Sequence, residues 1–226
     1  VSRAPLEIPR GALGLCAEIE ALLVELVDLD APSPLAAGFR SRWVRILELF
    51  DRYAGVVVGA SDYRTRCARG CSACCRHWID DVCSFEAELL AAHLRERWPA
   101  EVPGWLARFL EAREEFARLA DVAGSREVAC QAFVRLGRAC PLLDAQGACR
   151  VYALRPLVCR GFLSFSEPSL CDPAHPGHAG ARTYLLDLEG PAHELLDELD
   201  LAHERFGSAR GLAELLPRAL AEPLRG

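Results

Sequence analysis

Four cysteines fall within nine residues, in Cys67-Ala-Arg-Gly-Cys71-Ser-Ala-Cys74-Cys75, and three more follow at Cys140, Cys149 and Cys159. Thiolates are soft, anionic donors that suit zinc, iron–sulfur clusters and cuprous copper. Cys71 and Cys74 are two residues apart, so both thiolates of one loop can reach the same centre. Adjacent thiols diverge, which predicts that Cys74 and Cys75 serve different centres, or that one of them is a supporting or redox thiol. The metal-ligand candidates are therefore Cys67, Cys71, Cys74, Cys75, Cys140, Cys149 and Cys159, gathered from distant segments. A disulfide scaffold is the plainer alternative. It fits poorly, because a chain of 226 residues can bury a core without staples, and Cys74 and Cys75 cannot easily pair with each other.

Other side chains near these thiols invite chemistry. Arg155 and Arg160 flank Cys159 and are the candidate cofactor-binding residues. Their guanidinium donors could bond cluster sulfurs or an anionic substrate; the plainer reading is a surface pair beside a tight turn. Cys171-Asp-Pro-Ala-His175-Pro-Gly-His178 has donor types at metal-ligand spacing, although its Pro and Gly content also suits a polar surface loop. His77, two residues after Cys75, is a candidate ligand or proton carrier, with a structural role favoured. Cys16, Cys83 and Cys130 lie in or beside helical patterns and read as buried apolar thiols. His93, His193 and His203 fall on helical segments as surface or partnered residues.

The elements that must position these groups are mostly helices. Leu15, Ile19, Leu22, Leu23, Leu26 and Val27 make one stripe of a helix over about 13–29, ended by Asp-Ala-Pro-Ser-Pro at 30–34. A second helix begins near Pro34, with Phe39, Trp43, Ile46, Leu47, Phe50 and Val57 inward. Residues 77–82 read as a short extended piece. Ser84 is the expected N-cap of a helix over Phe85 to about Arg97, with Glu86 and Glu88 at its positive end. A helix follows from Pro103 to about Ala120, then one capped by Ser125 and running to about Gly137. Residues 140–152 read as two short strands around an Asp144–Gly147 turn. A loop over Pro168–Gly180 precedes two closing helices, about 191–206 and 209–221, with Ser208 as the expected cap of the last. The fold class is mainly α: a helical bundle with a small irregular or β-hairpin cysteine-rich metal-binding element. The expected divisions are an N-terminal helical pair over 1–66, a cysteine-cluster unit with inserted helices over 67–165, and a C-terminal loop and helices over 166–226.

The net charge of −6 does not favour nucleic acid or acidic membrane surfaces as partners. No run of eighteen apolar residues is present, so no membrane span is expected. The chain opens Val-Ser-Arg-Ala-Pro without an apolar secretory segment, and it contains no Met; the native start is either missing or is Val1 itself. These features point to the cytoplasm, where clustered thiols more often bind metal than pair. All basic charge is Arg, which points to a GC-rich bacterial genome.

The pattern resembles the bacterial cysteine-cluster family of zinc- or iron-chelating domains, the YkgJ type. Its signature is C-x2-C-x2-C-C, then C-P-x-L, a Gly turn, C-x-[IV]-Y and R-P-x-x-C-R-x-[FY]. The chain matches with Cys71, Cys74 and Cys75, then Cys140-Pro141-Leu142-Leu143, Gly147, Cys149-Arg150-Val151-Tyr152 and Arg155-Pro156-Leu157-Val158-Cys159-Arg160-Gly161-Phe162. Cys67 stands one residue farther upstream than the pattern asks, with Ala68 in its slot. Ser84-Phe85-Glu86-Ala87 also resembles the family's helix start. The resemblance covers roughly 67–165 and implies chelation of an iron–sulfur cluster or zinc. One branch with this pattern includes flagellin lysine methylases, linked to an iron–sulfur cluster and S-adenosylmethionine; no glycine-rich nucleotide fingerprint is present here. The expected function is a metal-binding protein. The alternatives are an iron–sulfur-dependent modifying enzyme, methyltransferase-like or oxidoreductase, and a thiol redox or metal-delivery protein.

Overall fold

Apolar residues at three- and four-residue spacing build most of the chain, as described by a computed structural model over residues 6–29, 33–62, 64–68, 70–172 and 174–222. Helix α1 (Arg10–Val27) buries Leu15, Ile19, Leu23 and Leu26. Helix α2 (Ala37–Ala60) buries Phe39, Trp43, Ile46, Leu47, Phe50, Tyr53 and Val57. The stop expected between them at 30–34 lies outside the described residues at 30–32.

Helix α3 (Ser84–Arg97) is buried nearly all round, with Phe85, Leu89, Leu90 and Leu94 inward together with the polar Ser84, Glu86 and Glu88. Its N-cap is Cys83 and not Ser84. Cys83 is the residue in extended conformation, and Glu86 reaches back so that its Oε2 accepts from the Cys83 amide at 3.2 Å. The Ser84 amide instead donates to Asp200 Oδ1 at 2.6 Å. Helix α4 (Val102–Ala123) buries Trp105, Phe109, Ala112 and Phe116 and ends at Gly124, whose φ is +72°. Ser125 caps α5 (Arg126–Val134) by accepting from the Val128 amide, and that helix ends three residues short of the expected Gly137.

Because α3 has no exposed stripe, it serves two cores. Phe85 and Leu89 join α1, α2 and the Leu196–Leu199 side of α7 (Pro191–Ala202) in one. Ala87, Leu90 and Leu94 join α4, α5 and α8 (Leu212–Ala221) in the other. Helix α8 starts after Gly211, not at a Ser208 cap. Glu214 Oε2 accepts from the Gly211 amide at 2.8 Å, and a Cβ on Gly211 would lie 2.7 Å from the Trp78 ring.

The expected hairpin is reduced to a single antiparallel bridge, Leu143↔Cys149. Asp144 Oδ1 accepts from the amides of Gln146 and Ala148, and Gly147 turns with φ +78°, so the turn is tight. The Cys140 amide is drawn away to the first cysteine loop, which stops the ladder growing. Residues 77–82 form no strand; they bond to the start of α8 through Leu212 N to Ile79 O at 2.9 Å and Val82 N to Arg210 O at 3.0 Å. The one two-stranded sheet among the described residues pairs β1 (Phe162–Ser164) antiparallel with β2 (Thr183–Leu185), in register Leu163↔Tyr184. Three-residue strands leave too short an alternation to read from sequence. Strand β1 follows directly on α6 (Leu157–Gly161), which carries Cys159. The architecture is mainly α, and no helix among the described residues is long and apolar enough to cross a membrane.

Gly161 sits where α6 passes into β1. Its carbonyl accepts from the Leu186 amide at 2.8 Å, and an added Cβ would stand 1.9 Å from Leu186 O. Gly161→Ala should therefore destabilise the protein by about 3 kcal/mol, the cost of overpacking against backbone that cannot rotate away. Urea unfolding followed by circular dichroism checks this; an unchanged midpoint contradicts it.

Candidate metal centre

The first cysteine loop is held at both ends. Upstream, Thr65 Oγ1 and the Arg66 amide donate to Ser164 O at 3.0 and 3.1 Å, and the Ser164 amide donates to Cys67 Sγ at 3.2 Å. Gly70 then turns the chain with φ +92°, a conformation that favours glycine. A 3-10 turn over Ala73–Arg76 presents Cys74 and Cys75. Downstream, the Cys140 amide donates to Cys75 O at 2.7 Å, and Arg76 Nη1 donates to Gly137 O at 2.7 Å. The Cys140–Cys75 bond joins the two cysteine groups backbone to backbone.

All seven candidate cysteines line one cavity of about 770 Å³. Its walls come from one face of α2, the loop over 65–80, the turn over 140–152, and α6. Cys67 is exposed; the other six are half-buried, and all are free thiols. Among the described residues no three His, Cys, Asp or Glu side chains already form a metal-holding group. The thiols thus share a cavity without being closed into a coordination shell.

The electrostatics show that this cavity favours neutral thiols when metal-free. A hydrogen bond with Cys75, reinforced by burial, pushes the Cys74 thiol far up from its ordinary value. Burial, opposed by the Leu142 amide, pushes Cys140 up to about 12. Burial raises Cys149 as well, and raises Cys159 well above its ordinary value, with the nearby thiols of Cys140 and Cys74 adding to it. A metal ion would supply the positive charge that this set lacks, and its binding must release protons.

Arg155 and Arg160 both line the cavity but differ in their partners. The Arg160 guanidinium is buried. It bonds Asp51 of α2, the carbonyls of Ala153 and Leu47, and Arg155 O at 3.0 Å. It holds the backbone of the second cysteine group against α2. Arg155 lies over the Tyr152 ring at 3.8 Å and reaches Asp51 Oδ1 through Nη2 at 3.4 Å. Its Nε and Nη1 are buried with no hydrogen-bond partner, and its charge lowers the Cys74 and Cys149 thiols. Buried, unpaired cationic donors beside accumulated thiols fit an anionic sulfur-rich centre.

Cys171 is buried and its thiol lies 2.9 Å from Ser164 Oγ, on the same serine whose amide reaches Cys67. Its turn, Pro168–Cys171, packs on the Ala73–Arg76 turn, and Cys67 and Cys71 push its thiol up after burial does. His77 lines the cavity, and burial followed by the nearby His178 lowers it to about 4, so its ring is neutral. His178 Nδ1 is 3.0 Å from Leu170 O, and His175 Nδ1 accepts from the Gly177 amide; both bonds are local to that loop. Cys16, Cys83 and Cys130 pack against the cores. His203 packs on Phe39 and Phe85, and His93 on Trp98. His193 lies 3.6 Å from Asp197 on the surface of α7.

Sequence reasoning missed Glu86, Asp51 and Ser164 as organisers. Glu86 is buried, and its Oε1 accepts from the Leu157 amide at 2.9 Å while Oε2 takes the Cys83 amide. It therefore ties the start of α3 to the start of α6, two residues before Cys159. At the third position of a helix a Glu reads as a cap, and nothing local reveals the distant amide.

Residues 66–172 match the CxxCxxCC family, whose description reads "Putative zinc- or iron-chelating domain". That stretch is similar to this family, and the likeness supports metal binding of the zinc or iron type by the cysteine-rich part of the chain. The match runs past the expected limit of about 165 and takes in Cys171. No curated protein and no solved structure matches the chain.

Burial raises Glu86 from its ordinary value of 4.5 to about 7. A carboxyl raised in the folded state contributes stability that is complete below the unfolded value and is lost as pH rises through the folded value. The advantage of the metal-free wild type over Glu86→Gln should therefore shrink by up to about 3 kcal/mol between pH 4 and 7.5. Urea unfolding of both proteins across that range measures it; a difference that does not vary with pH contradicts it.

Proposed function

We propose that this chain holds an iron–sulfur cluster on the thiolates of its CxxCxxCC domain. The reading is carried by one observation: seven cysteines from three separate segments open onto one cavity. Cys74, Cys140, Cys149 and Cys159, among which nearby thiols raise one another, form the inner ligand set of this reading. Cys67, Cys71 and Cys75 complete the thiol wall and supply exchange or second-centre ligands. Arg155 offers N–H donors to sulfur, a contact that tunes cluster potential, and Arg160 holds that arginine's backbone in place. The residues 67–165 are the chelating unit of this reading, flanked by the helical pair over 1–66 and the C-terminal helices over 166–226, in a reducing compartment such as the cytoplasm.

Anaerobic purification with elemental analysis and visible spectroscopy tests the proposal. The expected protein is brown, carries iron and acid-labile sulfide, and bleaches with dithionite. A colourless protein with stoichiometric zinc overturns the cluster and keeps the chelation. Cys159→Ser should lose most of the bound iron, whereas Cys130→Ser should retain it. Because the inner thiols are raised by burial and mutual proximity, metal uptake should weaken as pH falls and release protons, which titration in two buffers of different ionisation enthalpy measures.

A further inference from the structure

The cavity is larger than its metal. Metal–sulfur bonds are about 2.3 Å, so ligated thiolates stay close around their centre. The whole cavity measures about 770 Å³, within the roughly 300–1,000 Å³ typical of small-molecule sites. Besides the thiols, its wall includes the apolar Ala54, Val58, Val151, Val158, Phe162 and Leu163.

Charge then selects the occupant. The charged side chains lining the cavity are Arg155, Arg160, Asp51 and Asp80. Asp80 is taken by Arg126, at 2.6 Å. Asp51 is shared by both cavity arginines, which leaves one positive charge without its own counter-ion. That charge belongs to Arg155, because Arg160 is bonded on every side. The orphaned Nε and Nη1 of Arg155 carry three N–H groups between them, more than one sulfur contact would satisfy.

We propose that this cavity is a binding site for a small organic oxyanion, a carboxylate or phosphate ester with an apolar body, held at Arg155 beside the metal centre. The anionic group accepts from the Arg155 N–H groups, and the apolar body lies against α2 and β1. The inference rests on the proposed centre only for what fills the thiol end.

Two variants separate the contributions. Arg155→Gln removes the charge. Gly55→Trp adds bulk on the α2 wall, where an added Cβ meets nothing within 4 Å. Anaerobically purified full-length protein is titrated calorimetrically with 1-naphthoate, 1-naphthyl phosphate and neutral 1-naphthol, with metal content measured on the same samples. At least one anion should bind saturably. Its affinity should fall tenfold or more in Arg155→Gln and be lost in Gly55→Trp at unchanged metal content, while Arg155→Gln leaves any naphthol binding unchanged. The tighter of the two anions identifies carboxylate or phosphate as the preferred group. Failure of both anions to bind metal-loaded protein, or equal affinity in Arg155→Gln, overturns the inference. Anion binding to protein that carries no metal would sustain it while defeating the proposed centre.

Discussion

A buried carboxyl, Glu86, and a buried guanidinium, Arg160, bracket the short helix α6, and the candidate site hangs on that bracket. Glu86 receives the amide at the helix start, and Arg160 projects from within the helix to Asp51 of α2 and to three backbone carbonyls. Each polar group is costly to bury alone, and each is stabilised because its hydrogen-bonding capacity is spent on backbone or on an ion pair. Cys159 lies between these two anchors. The same pair links three otherwise separate bodies: α2 through Asp51, α3 through Glu86, and the second cysteine turn through the carbonyls of Ala153 and Arg155. A five-residue helix has little stability of its own; here tertiary bonds hold it.

The first cysteine loop is fixed by a different device. It has no regular structure beyond one 3-10 turn, yet its backbone is tied to Ser164 on one side and to Cys140 on the other. Loop and turn therefore confront each other across the cavity, and their thiols are brought near without being locked. In this arrangement the protons on the raised thiols and the metal compete for the same sulfurs. Ser164 serves two thiols at once, its amide reaching Cys67 and its hydroxyl Cys171. That makes the β1–β2 pair part of the frame around the cysteine cavity.

The helices were largely legible because burial imposes periodicity. The stripes of α1, α2 and α4 read directly, and Ser125 was recognisable as a cap because its side chain acts within three residues. The errors have a common cause. Ser84 has the composition of a cap, but Asp200 takes its amide, and Cys83 with Glu86 does the capping instead. Ser208 fails for a similar reason, since Trp78 packs on Gly211 and fixes where α8 begins. The expected hairpin shrank because one flank bonds to the first loop rather than to its own partner.

By itself the sequence determined the candidate donors: thiol spacing, a Gly turn and an Arg-Pro-x-x-Cys-Arg segment are the types suited to a soft metal, since ligand type and local spacing are properties of short segments. The tertiary structure decided the rest. It set Arg160 into the frame and left Arg155 with unpaired donors, although the two look equivalent in the chain. It turned Glu86 from a helix cap into a clamp on α6, and it brought Cys171 to the serine that holds Cys67. Those outcomes depend on which distant backbone groups each side chain must satisfy once water is excluded, and that partner choice is written in packing rather than in local order.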